Sequence, residues 1–132
     1  MIEYKPNTEH WLETYKSLIT ISLEGFKFIL FTNGGAAIAL LAYLGNIAGK
    51  GVPIPDMTCP IMCYIVGICS GFLAMFFSYF TQLALLNENI NKEVLRSSHL
   101  IPLSVAAIFF FIGVAMFFTG SMLAVKAFPG TQ

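Results

Sequence analysis

Polar positions are sparse along this chain, and where they fall defines its elements. Between residues 8 and 31, Glu9, Glu13, Lys16, Thr20, Glu24 and Lys27 recur at intervals of four, three, four, four and three, the period of one helix face. Leu12, Tyr15, Ile19, Leu23, Phe26 and Leu30 keep the same period beside them, so the segment predicts a strongly amphipathic helix. Asn7 or Thr8 suits its N-cap, and Glu9 in the first turn suits the positive end of the helix dipole. Leu12-Glu13-Thr14-Tyr15-Lys16 and Leu23-Glu24-Gly25-Phe26-Lys27 share the pattern Leu-Glu-x-aromatic-Lys, eleven residues apart. That is close to three full turns, so the two Glu/Lys pairs stack along the helix.

Beyond the arm the charges disappear. Residues 57–87 and 97–125 hold no Asp, Glu, Lys or Arg, and residues 28–49 are interrupted only by Thr32-Asn33-Gly34-Gly35. At 1.5 Å per residue, about 20 residues cross a hydrocarbon core of roughly 30 Å. The pattern therefore predicts three transmembrane helices, over about 28–49, 58–87 and 98–126. A turn at Asn33-Gly34-Gly35 would leave about 14 residues before Lys50, too few to span; the helix is expected to run on through the glycines, bent there. Gly45-Asn46, Gly49-Lys50-Gly51, Pro53 and Pro55 end it, and the short loop makes the first two spans antiparallel neighbours. The second helix begins near Thr58 or Cys59, with Pro60 in its first turn, and continues past Asn87 toward Arg96. Ser97 or Ser98 caps a third helix that passes Pro102, reaches about Ala127 and stops before Pro129-Gly130. A four-span alternative counts residues 12–31 as a membrane helix. It places Glu13, Lys16, Glu24 and Lys27 in lipid, at about 2.5–3.5 kcal/mol per charge near the centre, unless they face a water-filled interior.

Composition moves the picture only toward the membrane. Hydrophobic residues make up 57% and charged residues 11%, with 13 Phe and a mean hydropathy of +0.77, far from a soluble domain. Seven basic and seven acidic residues cancel, so nothing suggests a nucleic-acid partner. The length allows one membrane domain over 1–132 and no appended soluble enzyme module. Met1-Ile2-Glu3-Tyr4-Lys5-Pro6-Asn7 lacks the basic and short apolar regions of a signal peptide. With three spans, Lys5, Lys16, Lys27, Lys92 and Arg96 share one side and Lys50 and Lys126 the other; this bias predicts the N-terminus in the cytoplasm and the C-terminus outside. The expected fold is thus an all-α membrane protein, its amphipathic N-terminal helix (8–31) continuing into the first of three transmembrane helices.

Candidate chemistry is thin. Cys59 and Cys63 lie four apart on one face, but no third or fourth soft ligand joins them, so neither a metal nor a disulfide is expected; Cys69 is likewise read as packing. No G-x-S-x-G, H-E-x-x-H, Walker A or G-x-G-x-x-G motif occurs. The spans hold no acid or base for a proton relay or coupling ion, and His99 beside Ser98 is a slender basis for acid/base chemistry. The chain is read as a non-enzyme without cofactor.

Two features carry more. Gly67-x-x-x-Gly71 with Ala74 and Ser78, and Ala106, Gly113 and Gly120 at seven-residue spacing, form small-residue helix-packing faces, used within one chain or between copies. The stripe Glu13, Lys16, Thr20, Glu24 and Lys27 either lies in the membrane interface with Trp11 among the lipids, or forms a cytoplasmic collar lining a vestibule around an oligomer axis. Its alternating signs lack the basic excess of an anionic-lipid binder. Asn33 presents its amide either to a pore or to a neighbouring helix.

The run Phe31-Thr32-Asn33-Gly34-Gly35-Ala36-Ala37-Ile38-Ala39-Leu40-Leu41 resembles a pattern in uncharacterised small bacterial inner-membrane proteins, which have an amphipathic arm, an Asn-Gly-Gly-Ala-Ala first span and two further spans. The resemblance implies a bacterial inner-membrane location and no particular activity. The expectation is a homo-oligomeric multi-pass protein of that membrane that alters permeability, as a channel or a membrane-disrupting effector. The alternative is a non-catalytic accessory subunit whose arm docks a larger protein partner; an enzyme acting on lipid ranks third.

Overall fold

The structure is a computed structural model that describes residues 8–90 and 98–128, and the side chains of residues 13–87 and 98–128. Three helices make up the described residues: α1 (Thr8–Ile47), α2 (Thr58–Ile90) and α3 (Leu100–Ala127). Each contains a segment long and apolar enough to cross a membrane. The expected cap at Asn7, the side chains of Glu9, Trp11, Lys92 and Arg96, the course of the chain from 91 to 97, and Pro129-Gly130 lie outside the described residues.

Helix α1 runs unbroken for 40 residues, about 60 Å at 1.5 Å per residue. Amphipathic arm and first span are therefore one helix, and the four-span alternative, which needs a turn near Asn33, does not apply. The physical reason is backbone satisfaction: in lipid no water replaces a lost helical bond, so Gly34 and Gly35 stay helical. Gly49 (φ +80°) and Gly51 (φ +70°) turn the chain after Ile47 in left-handed geometry that glycine adopts freely.

Both later spans start by the same device. The first helical bond of α2 is from the Ile61 N–H to the Met57 carbonyl (3.1 Å), and that of α3 from the Leu103 N–H to the His99 carbonyl (3.1 Å). Pro60 and Pro102 thus occupy the third helical position, the last whose N–H has no helical acceptor to satisfy. This corrects the expected cap of α3. A start from Ser97 or Ser98 would require an N–H that Pro102 lacks, so the helix opens at Leu100 with His99 as N-cap.

Helices α2 and α3 pack as an antiparallel pair. Gly120 lies against Tyr64, and Phe77 stacks on Phe109 with centroids 5.8 Å apart and planes within 6°. The Tyr64 and Ser121 hydroxyls are hydrogen-bonded at 3.1 Å. Helix α1 lies parallel to α3 in the groove of that pair, with Phe26 against Phe110 and Tyr43 against Phe128. Its N-terminal half is tied to α2 by the Tyr15 hydroxyl, which donates to Gln82 Oε1 at 2.8 Å. The arm accordingly runs along α2 as a continuation of the first span.

Candidate functional site

The inward face of α1 carries Tyr15, Ile19, Phe26, Leu30, Asn33, Ala37 and Leu40, all buried or half-buried. Of the apolar stripe read from the sequence, Leu23 instead stays 45% exposed, and the Leu12 side chain lies outside the described residues. Asn33 is fully buried at the junction of all three helices. Its Nδ2 donates to the Ile29 carbonyl at 3.0 Å and to the Gly113 carbonyl at 3.3 Å, so the amide bonds a neighbouring helix. Among the described residues its Oδ1 has no conventional donor. It lies 2.2 Å from the point a Cβ of Gly67 would occupy, the direction taken in glycine by a Cα hydrogen, and so makes at most a weak C–H···O contact.

All four packing glycines are consumed inside the chain. A Cβ at Gly67 would meet Asn33, at Gly71 the Ile29 and Leu30 side chains (3.1 and 3.3 Å), at Gly113 Ile29 (2.8 Å) and at Gly120 Tyr64 (2.9 Å). Gly113 also approaches the Gly67 carbonyl, at 3.3 Å from its Cβ position, the backbone proximity that small residues permit in lipid. These faces hold one protomer together.

The polar stripe does the opposite. Glu13, Lys16, Thr20, Glu24 and Lys27 are all exposed, on the side of α1 away from α2 and α3. Lys27 Nζ donates to Glu24 Oε1 at 2.7 Å while both side chains remain about 60% exposed. The Thr20 hydroxyl is turned back to the Lys16 carbonyl. Depth follows from Asn33, which sits level with Gly113, the fourteenth of the 28 residues of α3. Lys27 is six residues from Asn33 and Glu24 nine, hence about 9 and 14 Å along α1, within the roughly 15 Å half-thickness of a hydrocarbon core. With the bilayer midplane at the level of Gly113, both charges stand on the outside of the bundle at a depth where lipid solvates them poorly. At that level the inward side of α1 is Phe26 and Ile29, both buried, so the two charges point away from the helix contacts of the bundle.

Further along the same helix, Gly35, Ala39 and Ala42 are exposed at i, i+4 and i+7. A Cβ at Gly35 would meet nothing within 4 Å, and one at Gly34 only Ile68, at 4.0 Å. Each glycine weakens a helix interior by about 1 kcal/mol relative to alanine, and nothing among the described residues uses the space at Gly35. This stripe escaped the sequence reading, although its spacing was available as a signal. The Tyr15–Gln82 and Tyr64–Ser121 bonds had no sequence signal, because tyrosine in an apolar run reads as packing.

The remaining candidates stay apart. Cys59, Cys63 and Cys69 are free thiols, and no cluster of three metal-ligating side chains occurs among the described residues. An apolar groove of about 350 Å³ runs between α1 and α3 beside Gly25 and Phe110, with Ser78 lining it from α2. No protein-family model matches this chain, and neither a curated protein nor a solved structure matches it.

Proposed function

We propose that this chain is a bacterial inner-membrane protein, N-terminus in the cytoplasm, that assembles with copies of itself and alters the permeability of the membrane. The outward stripe of α1 turns toward the neighbouring copies at the cytoplasmic entrance of the assembly, where its charges meet their opposites at the rim of the water. One observation carries this reading: the exposed Glu24–Lys27 pair stands on the outer face of the three-helix bundle, about 9–14 Å along α1 from the mid-helix level of Asn33. Charges so placed are rare in membrane proteins and face either protein or a water-filled space; several copies around an axis supply both. The bias of Lys and Arg toward the arm and the second loop supports the orientation. Rings of acidic or basic side chains set ion preference in channels, which gives Glu24 and Lys27 a role at the entrance.

The test is ion flux in proteoliposomes over a series of protein-to-lipid ratios. Flux by the wild-type protein is expected to rise more steeply than in proportion to protein content, and Thr20→Lys, an added charge at an exposed position of the same stripe, is expected to shift the cation-to-anion permeability ratio severalfold toward anions. Absence of flux from protein shown to be assembled overturns the permeability reading in favour of an accessory subunit. A Thr20→Lys protein with wild-type selectivity removes the stripe from the conduction path.

A further inference from the structure

The glycine faces of α2 and α3 are filled within the protomer, so an assembly must be joined elsewhere. We infer that the seam between copies is the outward face of α1, packed in parallel against the same face of a second copy through Gly35, Ala39 and Ala42, with Glu24 of each copy beside Lys27 of the partner subunit. This rests on the self-association proposed above and names its interface.

Three independent features of α1 meet on that face. Glu13, Glu24, Gly35 and Asn46 are spaced by eleven residues and all are exposed, so they lie nearly one above another, opposite the buried seam that contains Asn33. Gly35 is open among the described residues, with nothing within 4 Å of its Cβ position, whereas Gly67, Gly71, Gly113 and Gly120 are each in contact; a flat spot of this kind suits the close backbone approach of another helix. The charges supply complementarity. A membrane protein inserted in one orientation meets its copies with α1 parallel and at equal depth, and each copy then offers an acid at Glu13 and Glu24 and a base one turn further on at Lys16 and Lys27. Acid and base stand on adjacent edges of the helix, so the acidic edge of one copy meets the basic edge of the next. A lipid-covered face needs neither the charges nor the gap.

The experiment uses full-length protein with Cys59, Cys63 and Cys69 replaced by alanine, single cysteines introduced, and copper-phenanthroline oxidation in the native membrane. Ala42→Cys and Gly35→Cys are expected to give disulfide-linked dimers, and Phe72→Cys and Ile108→Cys, on exposed faces of α2 and α3, none. Gly35→Leu is expected to lower the oligomer fraction at least fivefold with the fold retained, because the position is open within the protomer. Glu24→Lys is expected to weaken association, and the swap Glu24→Lys with Lys27→Glu to restore it. Crosslinking at Phe72 or Ile108 with Gly35→Leu still oligomeric overturns this interface while leaving self-association intact. A chain that is monomeric in every variant and in the wild type, counted independently by native mass spectrometry, overturns self-association itself. Oligomers in which α1 crosslinks only to a different protein overturn the second-copy assignment.

Discussion

At the scale of single residues, the most constrained point is the contact of Asn33 with Gly67 and Gly113. Interhelical hydrogen bonds in membranes contribute about 0.6 kcal/mol on average and up to ~1.7, and the Asn33 amide spans the gap to Gly113. That amide fits only because Gly67 has no side chain, its Cβ position being 2.2 Å from Asn33 Oδ1. Gly67→Ala is expected to destabilise the bundle by about 1–3 kcal/mol, the range for overpacking. Asn33→Ala removes the obstacle along with the bond, so the double variant is expected to be at least ~1 kcal/mol more stable than the sum of the singles predicts. Steric-trapping or SDS-unfolding measurements on the four proteins close this cycle, and strict additivity would mean that the two side chains do not meet. The inward direction of Asn33 was legible, since Phe26, Leu30 and Asn33 continue one helical line. What bonds it was not, because a backbone carbonyl of α3 leaves no mark in the sequence.

At the scale of elements, the helices follow from rules of backbone donors, and the places where the sequence reading failed follow from them too. The continuity of α1 through Gly34-Gly35 was readable from span length alone. The start of α3 was misread because the capping preference of Ser98 was weighed above the missing N–H of Pro102. Helix α2 is introduced by Asp56, whose Oδ1 accepts the Thr58 N–H at 2.9 Å. Hydrogen bonds from the Thr58 side chain and backbone hold the Asp56 carboxyl below its ordinary value. A depressed carboxylate stabilises the folded form above its ordinary pKa, and that contribution disappears as pH falls through the lowered value. The Thr58 amide resonance is expected to follow this titration below the usual aspartate range, and Asp56→Asn to abolish the pH dependence while keeping an acceptor. A Thr58 amide that titrates at the ordinary aspartate value would contradict the cap.

At the scale of the whole molecule, the protomer is a closed three-helix bundle with its polar anchors turned inward at Tyr15–Gln82, Asn33–Gly113 and Tyr64–Ser121. Its charges are turned outward along α1. The three-helix membrane architecture was legible because lipid demands long apolar helices. The division of small residues was not legible: Gly67 and Gly113 serve the protomer and Gly35 does not, a difference that only packing discloses. The account stands on the outward charges and the open glycine belonging to an assembly. Counting subunits by photobleaching of singly labelled protein in native membrane particles, at densities where chance co-occupancy is negligible, tests this most directly. The account predicts that most particles bleach in two or more steps and that Gly35→Leu collapses them to one. A wild-type protein that bleaches in single steps would contradict it.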